Sequence, residues 1–177
     1  MNLHMLIKKP ETEVEFNQIL KLNYKTFVEE IPQHKPNDDK ILVDKFHAQN
    51  KYLIAKRGEQ VIGMISYCTE RPFSLDQKLE NLDEYLPPFS KIAEVRLLSV
   101  QQENRSGKLA YLIFKALATE LIMLGTDLVV ISGTTRQLSL YKKVGFAPFG
   151  PLVGTNEAAY QPMYITLNQL RSDFRNN

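Results

Sequence analysis

A single cysteine, Cys68, leaves no partner for an internal disulfide and fits a reducing compartment. It follows Tyr67 without a basic neighbour, so it reads as buried and inert rather than nucleophilic. The histidines are three and scattered, His4, His34 and His47, with no spacing that makes a two-ligand metal site. No run approaches the ~20 apolar residues of a membrane span. The opening M-N-L-H-M-L-I-K-K-P lacks a cleavable signal pattern, so a cytoplasmic protein is expected. An excess of one charge is missing too: 22 basic against 20 acidic residues leave a net +2, which gives no ground for nucleic acid. No G-x-S-x-G elbow offers serine catalysis.

What is present is an ordinary soluble composition. The 177 residues, 44% apolar and 24% charged, suffice for a real core. No repeat, linker or low-complexity stretch breaks the chain, so one domain over residues 1–177 is expected. Residues 3–7 predict an opening strand. Thr12 and Glu15 have capping-box spacing, and Phe16, Leu20, Tyr24, Phe27 and Ile31 recur at threes and fours as one helix face. Pro32 and Pro36 end that helix, and a polar loop follows. Residues 51–56 and 61–67 predict a hairpin around R-G-E-Q. Ser74 and Gln77 repeat the capping-box spacing before Leu75, Leu79 and Leu82, with Pro87-Pro88 as the stop.

Residues 93–146 carry the densest signal. A-E-V-R-L-L-S-V reads as a strand, Q-Q-E-N-R-S-G-K-L-A as a turn, and residues 109–124 as a nearly all-apolar helix capped by Gly125. A buried strand over 129–132 and a helix over 135–144, stopped by Gly145, complete the unit. Residues 146–149 and 159–167 predict closing strands around the loop G-P-L-V-G-T-N-E, and the tail is one helical turn or frayed. Strand, turn, helix in this order aims free amides and a helix dipole at an anion. Gly107 permits unusual backbone angles, and Arg105 and Lys108 add charge. The same turn also fits a plain solvated connection. A nucleotide-triphosphate loop is disfavoured, because Leu109 stands where a magnesium-binding Ser or Thr belongs. Strand alternation puts Glu94, Arg96, Leu98 and Val100 on one face. Glu94 is then a general-base candidate, and a solvent-facing Glu94–Arg96 pair is the alternative. Tyr141 stays protonated at neutral pH (reference pKa about 10), so its phenol suits a leaving thiolate, or it simply fills a helix–sheet gap.

These segments resemble the GNAT superfamily of CoA-dependent N-acyltransferases. The resemblance lies in E-V-R-L-L-S-V at 94–100, R-S-G-K-L-A at 105–110 and L-Y-K-K-V-G-F at 140–146. Of that family's motif Arg/Gln-x-x-Gly-x-Gly/Ala, Arg105 matches the first position and Ala110 the last. Lys108 replaces the first glycine, with Gly107 one residue early. Tyr141 matches the frequent general acid and Glu94 a frequent base, while Thr134 and Gln137 stand where an Asn and an Ala often occur. L-N-Y-K-T-F-V-E-E at 22–30 is similar to a helix of N-acyl amino acid synthases and acyl-homoserine-lactone synthases, whose pattern is close to L-R-Y-x-V-F-V-x-E. Asn23 replaces its arginine and Thr26 the following aliphatic residue.

The resemblance implies an α/β fold: an α+β mixed sheet of about seven strands, GNAT-like and splayed, flanked by helices. It implies donor contacts from the backbone at Leu98 and Val100, from the turn Arg105, Ser106, Gly107, Lys108, Leu109 and Ala110, and from Thr134. Glu94 would act as base and Tyr141 as acid. The implied reaction moves an acyl group, acetyl first, from acetyl-CoA or another acyl-CoA to a small-molecule primary amine, with no metal and no nucleic acid. A long-chain N-acyl amino acid synthase using acyl-CoA or acyl carrier protein is the alternative. A non-catalytic CoA-binding sensor or scaffold domain is the reading from another class, and a homo-oligomer is left open.

Overall fold

In the computed structural model, which describes residues 4–175, Thr12 opens the first helix as its spacing predicts. Its hydroxyl accepts the Glu15 amide at 3.2 Å, and the Glu15 carboxylate accepts the Thr12 amide at 3.4 Å. Helix α1 (Glu13–Tyr24) runs without a break into a π-helical turn over Lys25–Glu30, closed by the Ile31 amide on the Thr26 carbonyl at 2.8 Å. The wider turn changes the buried face. Ile19, Leu22, Asn23 and Tyr24 are buried on α1, then Thr26, Phe27 and Val28. Of the predicted face, Phe16 and Leu20 are only partly covered. A strict 3.6-residue period misplaces the centre of a helix that changes its own period.

Among the described residues eight strands form the sheet: β1 (Met5–Lys8), β2 (Lys51–Arg57), β3 (Gln60–Cys68), β4 (Ile92–Val100), β5 (Leu128–Thr134), β6 (Ala147–Pro148), β7 (Val153–Gly154) and β8 (Ala159–Thr166). Their order is β1-β2-β3-β4-β5-β8-β6, with β7 pairing β8. The expected mixed sheet is therefore present. The strand beyond the expected seven is β7, two residues inside the predicted loop, too short to carry any periodicity. β4 and β5 pair in parallel from Ile92–Leu128 to Val95–Ile131, and β8 lies antiparallel to β5. Leu3 of the predicted opening strand and the last two residues of the tail lie outside the described residues. The described tail is helix α5 (Leu167–Arg175).

Two compact units divide the chain. One runs to Ser66 and resumes over Leu97–Ala116; the other takes Tyr67–Arg96 and resumes at Leu117. The first packs Ile19, Leu22 and Phe27 against Tyr52, Ile54, Val61, Met64 and Leu97. The second packs Leu75, Leu79 and Leu82 of the predicted apolar side against Ile92, Leu128 and Val130. Its first helix, α2 (Ser74–Lys78), is not capped by Ser74. The Asp76 carboxylate accepts the Phe73 amide at 2.7 Å instead.

Helix α3 (Lys108–Met123) ends on Gly125 at φ +75°. The Thr126 amide reaches the Leu121 carbonyl and the Gly125 amide the Ile122 carbonyl, both at 3.0 Å. That is the paired closure which a left-handed glycine permits. Helix α4 (Leu138–Val144) follows a 3₁₀ turn over Thr135–Gln137 and stops at Gly145, φ +113°. Among the described residues no helix is long and apolar enough to cross a membrane.

Glu15 joins three elements of the first unit. Besides the cap, it accepts Lys56 Nζ at 2.8 Å and Lys8 Nζ at 3.2 Å. The Lys56 hydrogen bond, together with the Glu11 amide, holds its pKa down to about 2 from 4.5. A carboxylate lowered on folding stabilises above its unfolded pKa and loses that stabilisation as pH falls through the folded value. Wild-type protein should therefore lose about 1 kcal/mol of unfolding free energy from this group between pH 5 and pH 2, after discounting for solvent screening. Urea unfolding across that range should show the loss, and Glu15→Gln should flatten it.

Candidate functional site

Glu94 lies on β4, 1% exposed, in the second unit. Its Oε1 accepts the Ser74 amide at 3.0 Å and its Oε2 the Leu75 amide at 2.9 Å, both at the start of α2. Arg96 donates to Oε1 at 3.2 Å. The Glu94–Arg96 pair therefore exists, but buried rather than solvent-facing. Burial pushes the Glu94 pKa up, and the Arg96 charge and the two amides oppose that shift. The balance leaves a carboxyl group easier to protonate than an ordinary glutamate, held rigidly by donors on both oxygens.

Tyr141, on α4 in the same unit, is buried, and its hydroxyl donates to Gln137 Oε1 at 2.9 Å. Burial raises its pKa above the ordinary phenol value, so it remains a proton donor at neutral pH. Its ring packs edge-on against Phe146 and directly over Gly133 of β5. On the next residue of β5, Thr134 is buried and its hydroxyl has no protein partner, as is also true of the Ser132 hydroxyl. Unpartnered buried hydroxyls of this kind call for a water or a ligand atom. From sequence Arg96 is only the partner in a solvent-facing pair, and Gln137 has no role. The i, i+4 spacing of Gln137 and Tyr141 is the signal that finds the second.

The donor residues expected on the turn belong to the first unit. Leu98 and Val100 are buried on β4. Gln101 fixes the start of the turn through its amide on the Ile62 carbonyl at 2.9 Å and its Nε2 on the Val61 carbonyl at 3.0 Å. Asn104 receives Arg57 at 3.1 Å. Arg105 donates from Nε to the Val100 carbonyl at 2.8 Å and pairs with Glu30 at 2.6 Å. Ser106 and Lys108 are exposed; Gly107 adopts φ +79° with open space around it. Leu109 and Ala110 turn inward on the first turn of α3. Two clefts, of about 520 and 480 Å³, share Glu103 and Asn104 as a common wall. The second is lined by Ser106, Lys108 and Leu109, so the start of α3 opens on accessible space.

Sequence reasoning missed two residues of this unit. Glu30 is the last residue of the π-helical turn and holds Arg105. Asn23, 1% exposed, accepts the Ser99 hydroxyl at 3.3 Å, while its Nδ2 has no protein partner. A polar residue among the apolar positions of α1 was the available signal for Asn23. For Glu30 the signal was its match to the last position of the synthase pattern over 22–30, which does not reveal its partner far along the chain. The weaker candidates are placed simply: Cys68 is buried with Sγ 3.1 Å from the Glu70 carbonyl, and His47 is bonded to the Tyr52 hydroxyl at 2.6 Å.

A family model described as N-acyl amino acid synthase FeeM matches residues 18–167. No curated protein matches the sequence. Among solved structures, the chain is similar to a CoA-dependent acyl-homoserine lactone synthase, BjaI, with SAM and isopentyl-CoA. That match has 21% identity, covers 91% of this chain and 81% of that one, and has a TM-score of 0.75. FeeM, an N-acyl amino acid synthase from uncultured soil microbes, is 15% identical over 96% of this chain and 94% of its own, TM-score 0.72. A putative acetyltransferase of the GNAT family from Desulfovibrio desulfuricans is 8% identical over 93% and 99%, TM-score 0.64. At these identities the structures establish the fold, which is GNAT-like as expected.

The Tyr141–Gly133 contact gives a direct test of how tightly this part is built. A Cβ at Gly133 would lie 2.8 Å from Tyr141 Cδ2 and 3.3 Å from Met163 Sδ. Gly133→Ala should therefore displace the ring and lower the thermal midpoint by roughly 3–8 °C. Differential scanning calorimetry measures it.

Proposed function

The chain belongs to the N-acyl amino acid synthase FeeM family of acyltransferases, and from that premise we propose that it joins a longer acyl group to the amine of an amino acid. The extent of the family match carries this reading. Residues 18–167 take in the helix over 22–30 as well as the whole stretch from Glu94 to Tyr141. The acetyl group anticipated first from the broader resemblance yields to the longer chain, because the GNAT acetyltransferase likeness is one of fold at 8% identity.

In this scheme the phosphates of an acyl-CoA meet the free amides of Gly107, Lys108, Leu109 and Ala110 at the start of α3. There the helix dipole and the Lys108 charge favour an anion. The amides and carbonyls near Leu98 and Val100 serve the pantetheine arm, and Thr134 offers its unpartnered hydroxyl. Glu94 takes a proton from the acceptor ammonium, and the freed amine attacks the thioester carbon. The carbon–sulfur bond breaks, and Tyr141 protonates the departing thiolate. Products are an amide and a free thiol; Glu94 then gives up the proton it took and Tyr141 regains one, both by exchange with water. The environments suit those tasks, since burial raises Glu94 toward the working pH of a base and keeps Tyr141 protonated.

A panel of acyl-CoA thioesters from two to sixteen carbons, and the matching acyl carrier protein thioesters, tested against the common amino acids by thiol release and product mass, decides the reading. Turnover should be greatest with a long chain and an amino acid acceptor. Preference for acetyl-CoA would overturn the chain length, and thiol release at background while CoA binds would favour the non-catalytic alternative. Glu94→Gln and Tyr141→Phe should each lower kcat about 100-fold. The rising limb of the pH–rate profile, which lies above the ordinary carboxylate range because Glu94 is raised, should vanish in Glu94→Gln. Far-UV circular dichroism checks that this variant keeps α2.

A further inference from the structure

Arg105 reads from sequence as a cation for phosphate, yet its guanidinium is already engaged. One side ties it to the Val100 carbonyl at the end of β4, the other to Glu30 Oε2 at 2.6 Å. The Glu30 side chain is 24% exposed and that of Arg105 38%, so the pair is partly shielded and stronger than a pair in open solvent. Glu30 is the last residue of the π-helical turn, a geometry that a helix adopts at a cost and keeps where something holds it.

The turn shows why the tie matters. Up to Asn104 it is pinned by Gln101 on β3 and by Arg57 of β2. Beyond Arg105 come exposed Ser106, the left-handed Gly107 with open space around it, and exposed Lys108. Arg105 is thus the last anchored side chain before the amides at the start of α3. Its position sets where those amides point. A guanidinium neutralised by Glu30 also has little attraction left for a phosphate.

We infer that Arg105 acts as a bracket rather than as a phosphate ligand, and that Glu30 is a positioning residue for the thioester donor. Glu30 touches no part of the donor and acts through Arg105, by holding the phosphate turn against the π-helical turn. This rests on the donor site proposed above.

The sign of one substitution separates the two roles. If Arg105 binds phosphate, Glu30→Gln frees a cation and removes a nearby negative charge, and donor affinity rises. If Arg105 is the bracket, Glu30→Gln loosens the turn, and the KM for decanoyl-CoA or decanoyl acyl carrier protein rises roughly tenfold. In that case kcat at saturating donor stays within about twofold of wild type. The double variant Glu30→Arg with Arg105→Glu rebuilds the pair with its charges exchanged. It should recover most of the affinity lost in either single variant, whereas a phosphate ligand turned into glutamate would lose still more. Hydrogen exchange in the ligand-free protein supplies a readout independent of the donor. The hydrogen-bonded amides of Asn104, Arg105, Ser106 and Tyr111 should exchange faster in Glu30→Gln and return toward wild type in the double variant. Tighter donor binding in Glu30→Gln, a double variant worse than both singles, or unchanged exchange would overturn the bracket. If the wild type bound neither donor, the donor site itself would fail, and the exchange result would still decide the bracket.

Discussion

A carboxylate taken out of water has to be met by donors or give up its charge, and Glu94 shows how one such requirement organises its surroundings. Its oxygens receive the two leading amides of α2 and the Arg96 guanidinium. Those amides belong to a helix of only five residues, which has little intrinsic stability. With its first turn fixed on Glu94, α2 lays Leu75 into the cluster with Ile92, Leu128 and Val130, and Leu79 and Leu82 continue the same apolar side. The residue proposed as base is therefore also the cap of a helix. Catalytic and structural demands on it run in the same direction, because both need an acceptor locked in one orientation.

How much of this was legible in the sequence depended on the range of each interaction. Thr12 with Glu15, Gly125 after α3 and Gly145 after α4 were readable because a cap involves residues a few positions apart and a backbone angle that favours glycine. Ser74 misled for the same reason. Its spacing to Gln77 looks like a box, but its amide is claimed by Glu94, 20 residues later. The α1 face was displaced because a π-helical turn inserts itself after Tyr24, and no local propensity announces it. Candidate chemistry followed the same rule. Glu94 and Tyr141 were found by type and by resemblance; the partners that set their properties, the α2 amides and Gln137, were not.

Asn23 illustrates a choice that resemblance alone leaves unexplained. The similar synthases carry an arginine in the corresponding pattern, and a guanidinium 1% exposed would need a carboxylate beside it. The amide here needs far less. Its oxygen takes the Ser99 hydroxyl, leaving Nδ2 as the single unpaired donor of that side chain. Nearby in sequence, Thr26 is likewise buried with an unpaired hydroxyl. The helix holds neutral polar groups here, whose desolvation is cheaper than that of a charge and whose demand a water molecule can meet.

The same economy of charge extends to both units. Arg96 is neutralised by Glu94 in one, and Arg105 by Glu30 in the other. Neither arginine is left as an open cation, although Arg105 sits where a sequence reader would offer it to an anionic donor. In the proposed donor site the anion is then met by other means. At the start of α3 those are first-turn amides, which have no partner within the helix, the partial charge of a helix of 16 residues, and Lys108 in the place where the broader family has a glycine. A lysine there supplies, on a flexible stem and in contact with water, the full charge that Arg105 has surrendered to Glu30. Read in this way, the departure at Lys108 and the engagement of Arg105 are two sides of one arrangement: the arginine shapes the turn, and the lysine carries its charge.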